Sequence, residues 1–326
     1  MPAELVKMAK NKPILRSKPT IDNSKIELHF VFSPHQDYEH GDDLAKVAAE
    51  VKPQVICVEN AAGDQKAAAN ISRHFRELAN DGYMQSVAHT AQEHNAQVFA
   101  LERFTPQAAQ GINRRHESAA LDCENALLKF EEGNATQALK LYRQSIEKTI
   151  LDTQAREEEV ARNLKQLQAL LHQHFPLLKK EPVIRVVVPY GAAHSSLFEA
   201  AKSMQFRRLT KKITSPMHLP LLDALTRRVI YKKTSKISDE EVAQALISHL
   251  VTAQVNDITN SKHKAIAVGA IEGKRITLDK FHEIAKTAGE LKNAHLACAQ
   301  HDVFTPTNAR EVDVYLKRKL GNSTPK

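Results

Sequence analysis

Several residue types that characterise familiar protein classes are scarce or missing in this sequence. Tryptophan is absent, and the aromatic residues together make up 5% of the 326 residues. The hydrophobic core must therefore be built mainly from leucine, valine, isoleucine and alanine. The scarcity also argues against single-stranded nucleic acid as a ligand, because such binding uses a series of aromatic side chains that stack on the bases.

Cysteine is also rare, which bears on the compartment. The three cysteines, Cys57, Cys123 and Cys298, are widely spaced, and no CxxC pair occurs. An odd and dispersed set argues against a disulfide framework and is typical of a reducing compartment. Cys57 falls within a predicted buried strand, where we expect an inert core thiol.

Long apolar runs are missing as well. Residues 1–25 are polar and basic, without the apolar stretch of a secretory signal. No run approaches the roughly 18 apolar residues that a membrane span requires. We therefore expect a soluble, cytoplasmic protein with no membrane span, while export by a route that needs no such signal stays open.

Three motifs of common enzyme classes do not occur. The sequence contains no Gly-x-x-x-x-Gly-Lys-Ser/Thr phosphate loop and no Gly-x-Ser-x-Gly nucleophile elbow. After the first predicted strand, Ser33-Pro34-His35 stands where a dinucleotide fingerprint would begin. Nucleotide-dependent chemistry and serine-nucleophile chemistry of these types are thus not indicated.

Positive charge is abundant, with a formal net charge of +8. Much of it lies in short basic patches, which are found at residues 207–212, 227–233 and 317–319. Such patches can bind phosphate, nucleic acid or an anionic membrane, but they more often form a solvated surface. We favour the solvated surface and do not expect nucleic acid as a partner; a factor directed at nucleic acid remains the open alternative.

The strand pattern predicts the fold class. Apolar and β-branched runs at 26–32, 55–58 and 183–188 are typical of strands buried on both faces of a parallel sheet, and 97–101 and 206–213 add two further candidate strands. Helical stretches at 42–51, 64–80 and 87–95 alternate with these strands. The sequence therefore predicts an α/β fold with a mostly parallel central sheet flanked by helices.

The rest of the chain divides by composition. We expect a basic arm at 1–24, the two halves of the α/β core at 25–105 and 181–215, a long helical insertion at 106–180 and a mostly helical C-terminal region at 216–326. Within the insertion, Leu164, Leu167, Leu170 and Leu171 form an apolar stripe that should pack on the sheet. Within the C-terminal region, we expect a strand pair at 265–271 and 275–277 and a short strand at 295–298.

Polar residues follow three of the predicted strands. His35 follows the first, Glu59 the second and His194 the last of the three long runs. Ligands of parallel α/β sheets bind beyond the carboxyl ends of the strands. If these strands are neighbours, two imidazoles and a carboxylate meet at one edge of the sheet, where they can hold a metal ion or move a proton.

The same region carries a family resemblance. The motifs, in chain order, are His35 after the first strand, Glu59 after the second, Glu102-Arg103 after the third, Arg156-Glu157 with Val160-Ala161 on a helix, and Gly191-x-x-His194. In this order they resemble the TraB/TIKI/GumN superfamily, with ChaN and the erythromycin esterases as distant kin. The resemblance covers residues 26–213. The first motif departs from the family, because Phe32 stands where the family has glycine.

The resemblance implies a metal-dependent peptidase in the TIKI branch and a histidine-based, metal-free esterase in the erythromycin branch. We therefore predict a hydrolase of a peptide or small ester, with His35, Glu59 and His194 as ligands of a divalent metal (Mn, Co or Zn). The predicted catalytic residues are Glu102, Arg103, Arg156 and Glu157.

Two alternatives remain at this stage. Arg156 and Glu157 also fit an exposed ion pair, because the acidic run 157–159 is typical of a solvated helix face. Phe32 favours a non-catalytic protein that keeps the fold and binds a protein partner through its helical insertion and basic C-terminal region.

Overall fold

A computed structural model of the chain describes residues 22–33, 39–59, 82–191, 194–213, 221–232, 237–255 and 275–303. The strands are β1 (Asn23–Ser33), β2 (Val55–Val58), β3 (Gln97–Ala100), β4 (Ile184–Gly191) and β5 (Phe206–Ile213). They form one sheet in the order β3-β2-β4-β1-β5, and every pair is parallel. The predicted α/β fold with a parallel central sheet is thus confirmed.

Ten helices lie in the described part of the chain. They are α1 (Glu39–Val51), α2 (Gly82–Glu93), α3 (Pro106–Glu131), α4 (Ala135–Lys165), α5 (Leu167–His174), α6 (Ser196–Ala201), α7 (Leu221–Lys232), α8 (Asp239–Val255), α9 (Leu278–Leu291) and α10 (Ala294–Gln300). None of these helices is both long enough and apolar enough to cross a membrane.

The four strands β1 to β4 are buried on both faces of the sheet, as their apolar residues require, whereas the polar edge strand β5 is partly exposed. On one face, alternate residues of β1 such as Leu28 and Phe30 pack against the C-terminal half of α4, α5 and α6. On the other face, Val31 and Val187 pack against α1 and α2. Cys57 lies in the first of these layers, where burial raises the pKa of its thiol, so the expected inert core thiol fits its surroundings.

The predicted helical insertion is an antiparallel hairpin of α3 and α4. Thr105 caps α3, since its hydroxyl accepts a hydrogen bond from the backbone N–H of Ala108 at 3.2 Å. Asn134 caps α4 in the same way through the N–H of Gln137. The leucine stripe packs as expected: three members are buried against the sheet and Leu170 is partly buried there.

The C-terminal region is helical where it is described, and two strand predictions fail. Residues 275–277 form no strand, because Thr277 has its side chain turned to cap α9 through the N–H of Lys280. Residues 295–298 lie in α10, which begins after the side chain of Asn293 accepts a hydrogen bond from the N–H of Leu296. A cap followed by an alanine-rich segment favours helix over strand. The predicted strand 265–271 and the predicted helix 64–80 lie outside the described residues.

The α3–α4 turn contacts α9 at two glycines, and this contact yields a stability prediction. Gly133 has φ +84°, and a Cβ added at Gly289 would stand 2.9 Å from the Gly133 Cα. Because backbone atoms cannot easily move away, we expect Gly289→Ala to lower the free energy of unfolding by about 1–3 kcal/mol in urea titrations. Gly111→Ala is the control, since its new methyl meets only the Arg115 side chain at 3.8 Å and should stabilise α3 by about 0.5–1 kcal/mol. Equal effects from both substitutions would contradict the close glycine contact.

The topology makes the carboxyl end of β4 a switch point of the sheet. The helix that follows β1, α1, packs on one face of the sheet, whereas the helix that follows β4, α6, packs on the opposite face. β1 and β4 are neighbours, so their connections diverge at this point. Such a divergence is where open parallel sheets bind ligands.

Candidate active site

Charged residues from four elements meet at this end of β4. Glu59 directly follows β2, Glu102 lies two residues after β3, and His194 lies three residues after β4. Arg156 and Glu157 reach the same edge from α4. We call these five residues the His194 network.

The imidazole of His194 has a carboxylate at each ring nitrogen. Its Nε2 lies 3.3 Å from Glu59 Oε1, and its Nδ1 lies 3.2 Å from Glu157 Oε1. The ring also packs edge-on against Tyr190, with the ring centroids 5.8 Å apart. These contacts fix the orientation of the imidazole in a buried position.

Arg156 links two of the carboxylates. Its Nη2 donates to Glu59 Oε1 at 2.5 Å and to Glu102 Oε1 at 2.8 Å, while its Nε donates to Glu102 Oε2 at 3.2 Å. The Arg156–Glu102 contact is therefore bidentate, the strongest form of such a pair. The other oxygen of Glu59 accepts a hydrogen bond from the backbone N–H of Gly191 at 3.1 Å.

The burial of these charges shifts their proton affinities. Burial disfavours the imidazolium of His194, but Glu59 and Glu157 outweigh burial and raise its pKa to about 10. Burial likewise disfavours the charged form of Arg156. The carboxylates of Glu59 and Glu102 outweigh this effect of burial, so the pKa of the guanidinium is raised. Burial raises the pKa of Glu102, which is fully buried, and Arg156 only partly offsets this effect. At neutral pH the side chain of His194 is therefore the positively charged imidazolium, with a proton on each ring nitrogen.

The structure brings together five of the seven predicted site residues. Arg103 lies elsewhere, with its guanidinium carbon 5.9 Å from the centre of the Phe99 ring. His35 lies outside the described residues. Glu157 and Glu159 are buried, so the solvated acidic face considered for residues 157–159 holds only for Glu158. The catalytic and metal-binding roles of all these residues remain predictions.

A metal ion does not fit the described donors in this arrangement. Glu59 and His194 bind each other, Glu59 also binds Arg156 and the Gly191 N–H, and the second nitrogen of His194 binds Glu157. Within the described residues no group of three histidine, cysteine, aspartate or glutamate side chains is placed to hold a metal. The predicted divalent metal also requires His35, which lies outside the described residues, so the metal site stays a prediction.

Several residues that support the network were missed by the sequence patterns. Asn163 Nδ2 donates to the backbone carbonyl of Leu101 at 2.7 Å and to Glu159 Oε1 at 3.0 Å, which holds the loop that carries Glu102. Asp152 lies one turn before Arg156 on α4 and pairs with Arg115. The spacing of Asp152, Arg156, Glu159 and Asn163 is 4, 3 and 4 residues, so a search for a polar helical stripe could have found them.

No family model matches the chain, and no curated protein or solved structure matches it either. The His194 network is therefore interpreted from its own geometry and chemistry.

Proposed function

We propose that this protein is a hydrolase of peptide or ester bonds, of the TraB/TIKI-like type, with the His194 network as its active site. The observation that carries the proposal is the pair of carboxylates at 3.2 and 3.3 Å from the two nitrogens of His194, at the carboxyl end of β4. A buried histidine between acids, placed where parallel sheets bind ligands, is suited to proton transfer. The motif order of the sequence supports the same class.

The contacts suggest how protons move during hydrolysis. A water molecule attacks the substrate carbonyl and gives a proton to a carboxylate beside His194, while the imidazolium of His194 gives its proton to the leaving group. The carboxylate then returns its proton to the neutral imidazole across the 3.2 Å contact with Glu157 or the 3.3 Å contact with Glu59. Water is consumed, both products leave with the correct protons, and the site is restored.

Arg156 has a separate role in this scheme. Its paired hydrogen bonds to Glu102 and its contact with Glu59 favour the ionised forms of both carboxylates. Its side chain is also the more accessible part of the network, at 21% exposure against 7% for His194. Arg156 is thus placed to stabilise negative charge that develops on a substrate oxygen.

The direct test is His194→Gln, assayed with 4-nitrophenyl acetate and with a library of internally quenched peptides. We expect the wild-type protein to hydrolyse at least one of these substrates, and the variant to lose about 100-fold or more in kcat/KM, because general acid–base groups contribute that much. His89→Gln on the exposed face of α2 is the matched control and should keep the wild-type rate.

Folding is checked on the same samples by circular dichroism and thermal unfolding. A folded His194→Gln variant with full activity refutes the proposal. Dialysis against a chelator, followed by addition of Mn, Co or Zn, tests the metal-assisted version: unchanged activity and stability contradict it.

A non-catalytic binding protein is the second candidate, and two features favour it. An apolar cavity of about 840 Å³ opens between the helical insertion and the C-terminal helices, lined in part by Ile150, Leu151, Val229 and Ile237. Phe32, which replaces the glycine of the family motif, is fully buried and stacks on Phe30 with ring centroids 5.3 Å apart. A folded wild-type protein that turns over none of the substrates favours this candidate.

A further inference from the structure

An ion pair lies next to the His194 network without belonging to it. The Nε of Arg115, on α3, donates to Asp152 Oδ1 at 3.3 Å. Asp152 is buried and precedes Arg156 by four residues on α4. Residues at this spacing are neighbours on one helix face, about 6 Å apart. The pair therefore adjoins the guanidinium of Arg156.

The guanidinium of Arg115 reaches back toward the edge of the sheet. A Cβ added at Gly111, one turn nearer the start of α3, would lie 3.8 Å from Arg115 Nη1. α3 begins at Pro106, four residues after Glu102 at the carboxyl end of β3. Nη1 of Arg115 thus lies toward the start of α3, the end of the helix that follows Glu102.

Exposure indicates the direction from which a ligand approaches. The side chain of Arg115 is 39% exposed, that of Arg156 is 21% exposed, and that of His194 is 7% exposed. The described residues give Arg115 a hydrogen bond at Nε alone. Its two Nη groups are therefore available at the accessible end of the site, while Asp152 holds the planar group in place.

We propose that Arg115, positioned by Asp152, is a specificity determinant that binds a carboxylate group of the substrate. This inference rests on the proposed hydrolase function and narrows its substrates to peptides or esters that carry a carboxylate group beside the bond that is cleaved. Two parallel N–H groups of a guanidinium match the two oxygens of a carboxylate. The His194 network contains three carboxylates and Asp152 adds a fourth beside it, so an anionic substrate needs the cation of Arg115.

Binding is tested without turnover, by isothermal titration with glutarate and with the neutral glutaramide. We expect the wild-type protein to bind glutarate in preference to glutaramide, and Arg115→Gln to bind glutarate about 10- to 100-fold more weakly. Arg114→Gln removes the same charge from the neighbouring exposed position and should bind as the wild type does. If Arg115→Gln does not fold, Arg115→Lys replaces it and should show a smaller loss, because lysine keeps the charge and loses the planar pair of donors.

Turnover gives a second readout. The ratio of kcat/KM for mono-4-nitrophenyl glutarate to that for 4-nitrophenyl acetate should fall about 10- to 100-fold in Arg115→Gln and stay constant in Arg114→Gln. A wild-type protein that does not bind glutarate, or an Arg115→Gln variant with the wild-type ratio, overturns the inference. If glutarate binds as expected but neither the esters nor the peptide library is hydrolysed, the hydrolase proposal fails while the carboxylate site stands.

Discussion

Replacing Glu59 by glutamine is expected to lower the free energy of unfolding at pH 7 by about 3–5 kcal/mol, because the change removes the carboxylate that two buried cations share. One oxygen of Glu59 contacts both Arg156 and His194, and the other accepts the Gly191 N–H. A glutamine of the same shape presents an NH₂ group to one of these donors. The cost is measured by urea unfolding followed by circular dichroism.

A neighbouring glutamate provides the control for this variant. Glu158 is exposed on α4, where it accepts a hydrogen bond only from the side chain of Gln154 among the described residues. Glu158→Gln should change the free energy of unfolding by less than about 0.5 kcal/mol. If Glu59→Gln is as stable as Glu158→Gln, the carboxylate does not bridge the two cations, and the geometry of the His194 network is wrong.

The sequence predicted the sheet well because buried parallel strands leave a strong signal. Residues 26–32 and 183–188 are runs of apolar residues interrupted only by Glu27, His29 and Arg185, and both form central strands, β1 and β4. The meeting of Glu59 and His194 followed from the same rule, since parallel strands that lie together end at the same edge. The prediction assumed that the strands preceding Glu59 and His194 are neighbours, and the parallel pairing of β2 with β4 confirms this assumption.

Other parts of the site could not be obtained from local patterns. The contact of Glu59 with the Gly191 N–H depends on the register of β2 against β4, which no single segment encodes. Arg103 follows Glu102 directly, yet consecutive side chains point in different directions, and Arg103 lies over Phe99 instead. Glu157 is buried because it contacts Nδ1 of His194, on the opposite side of the ring from Glu59. This contact joins residues that are far apart in the sequence, so the acidic residues 157–159 alone do not reveal it.

The failed strand at 295–298 illustrates the same limit. Its residues are compatible with a strand or a helix. The conformations of the preceding Lys292 and Asn293 determine that a helix forms. Lys292 adopts a left-handed conformation that ends α9, and Asn293 caps α10. A cap is therefore more informative here than the apolar content of the segment it precedes.

The other large effect concerns pH. The pKa of His194 is raised to about 10 in the folded chain, whereas an unfolded histidine has a pKa near ~6.5. A group whose pKa is higher in the folded state stabilises the fold fully below the unfolded pKa and loses that contribution as the pH rises through the folded pKa. The free energy of unfolding should therefore fall by about 1.4 kcal/mol per pH unit from pH 7 toward pH 10, a total on the order of 4 kcal/mol.

The origin of this slope is tested by repeating the urea titrations in His194→Gln at constant ionic strength. The variant has no imidazole to release a proton, so the difference between wild type and variant should shrink as the pH rises. His29 does not interfere, because burial lowers its pKa and any effect of its protonation falls on the acid side of neutrality. A difference that stays constant from pH 7 to 10 would mean that His194 is not held as an imidazolium between Glu59 and Glu157. The acid role proposed for it in hydrolysis would then have no physical basis.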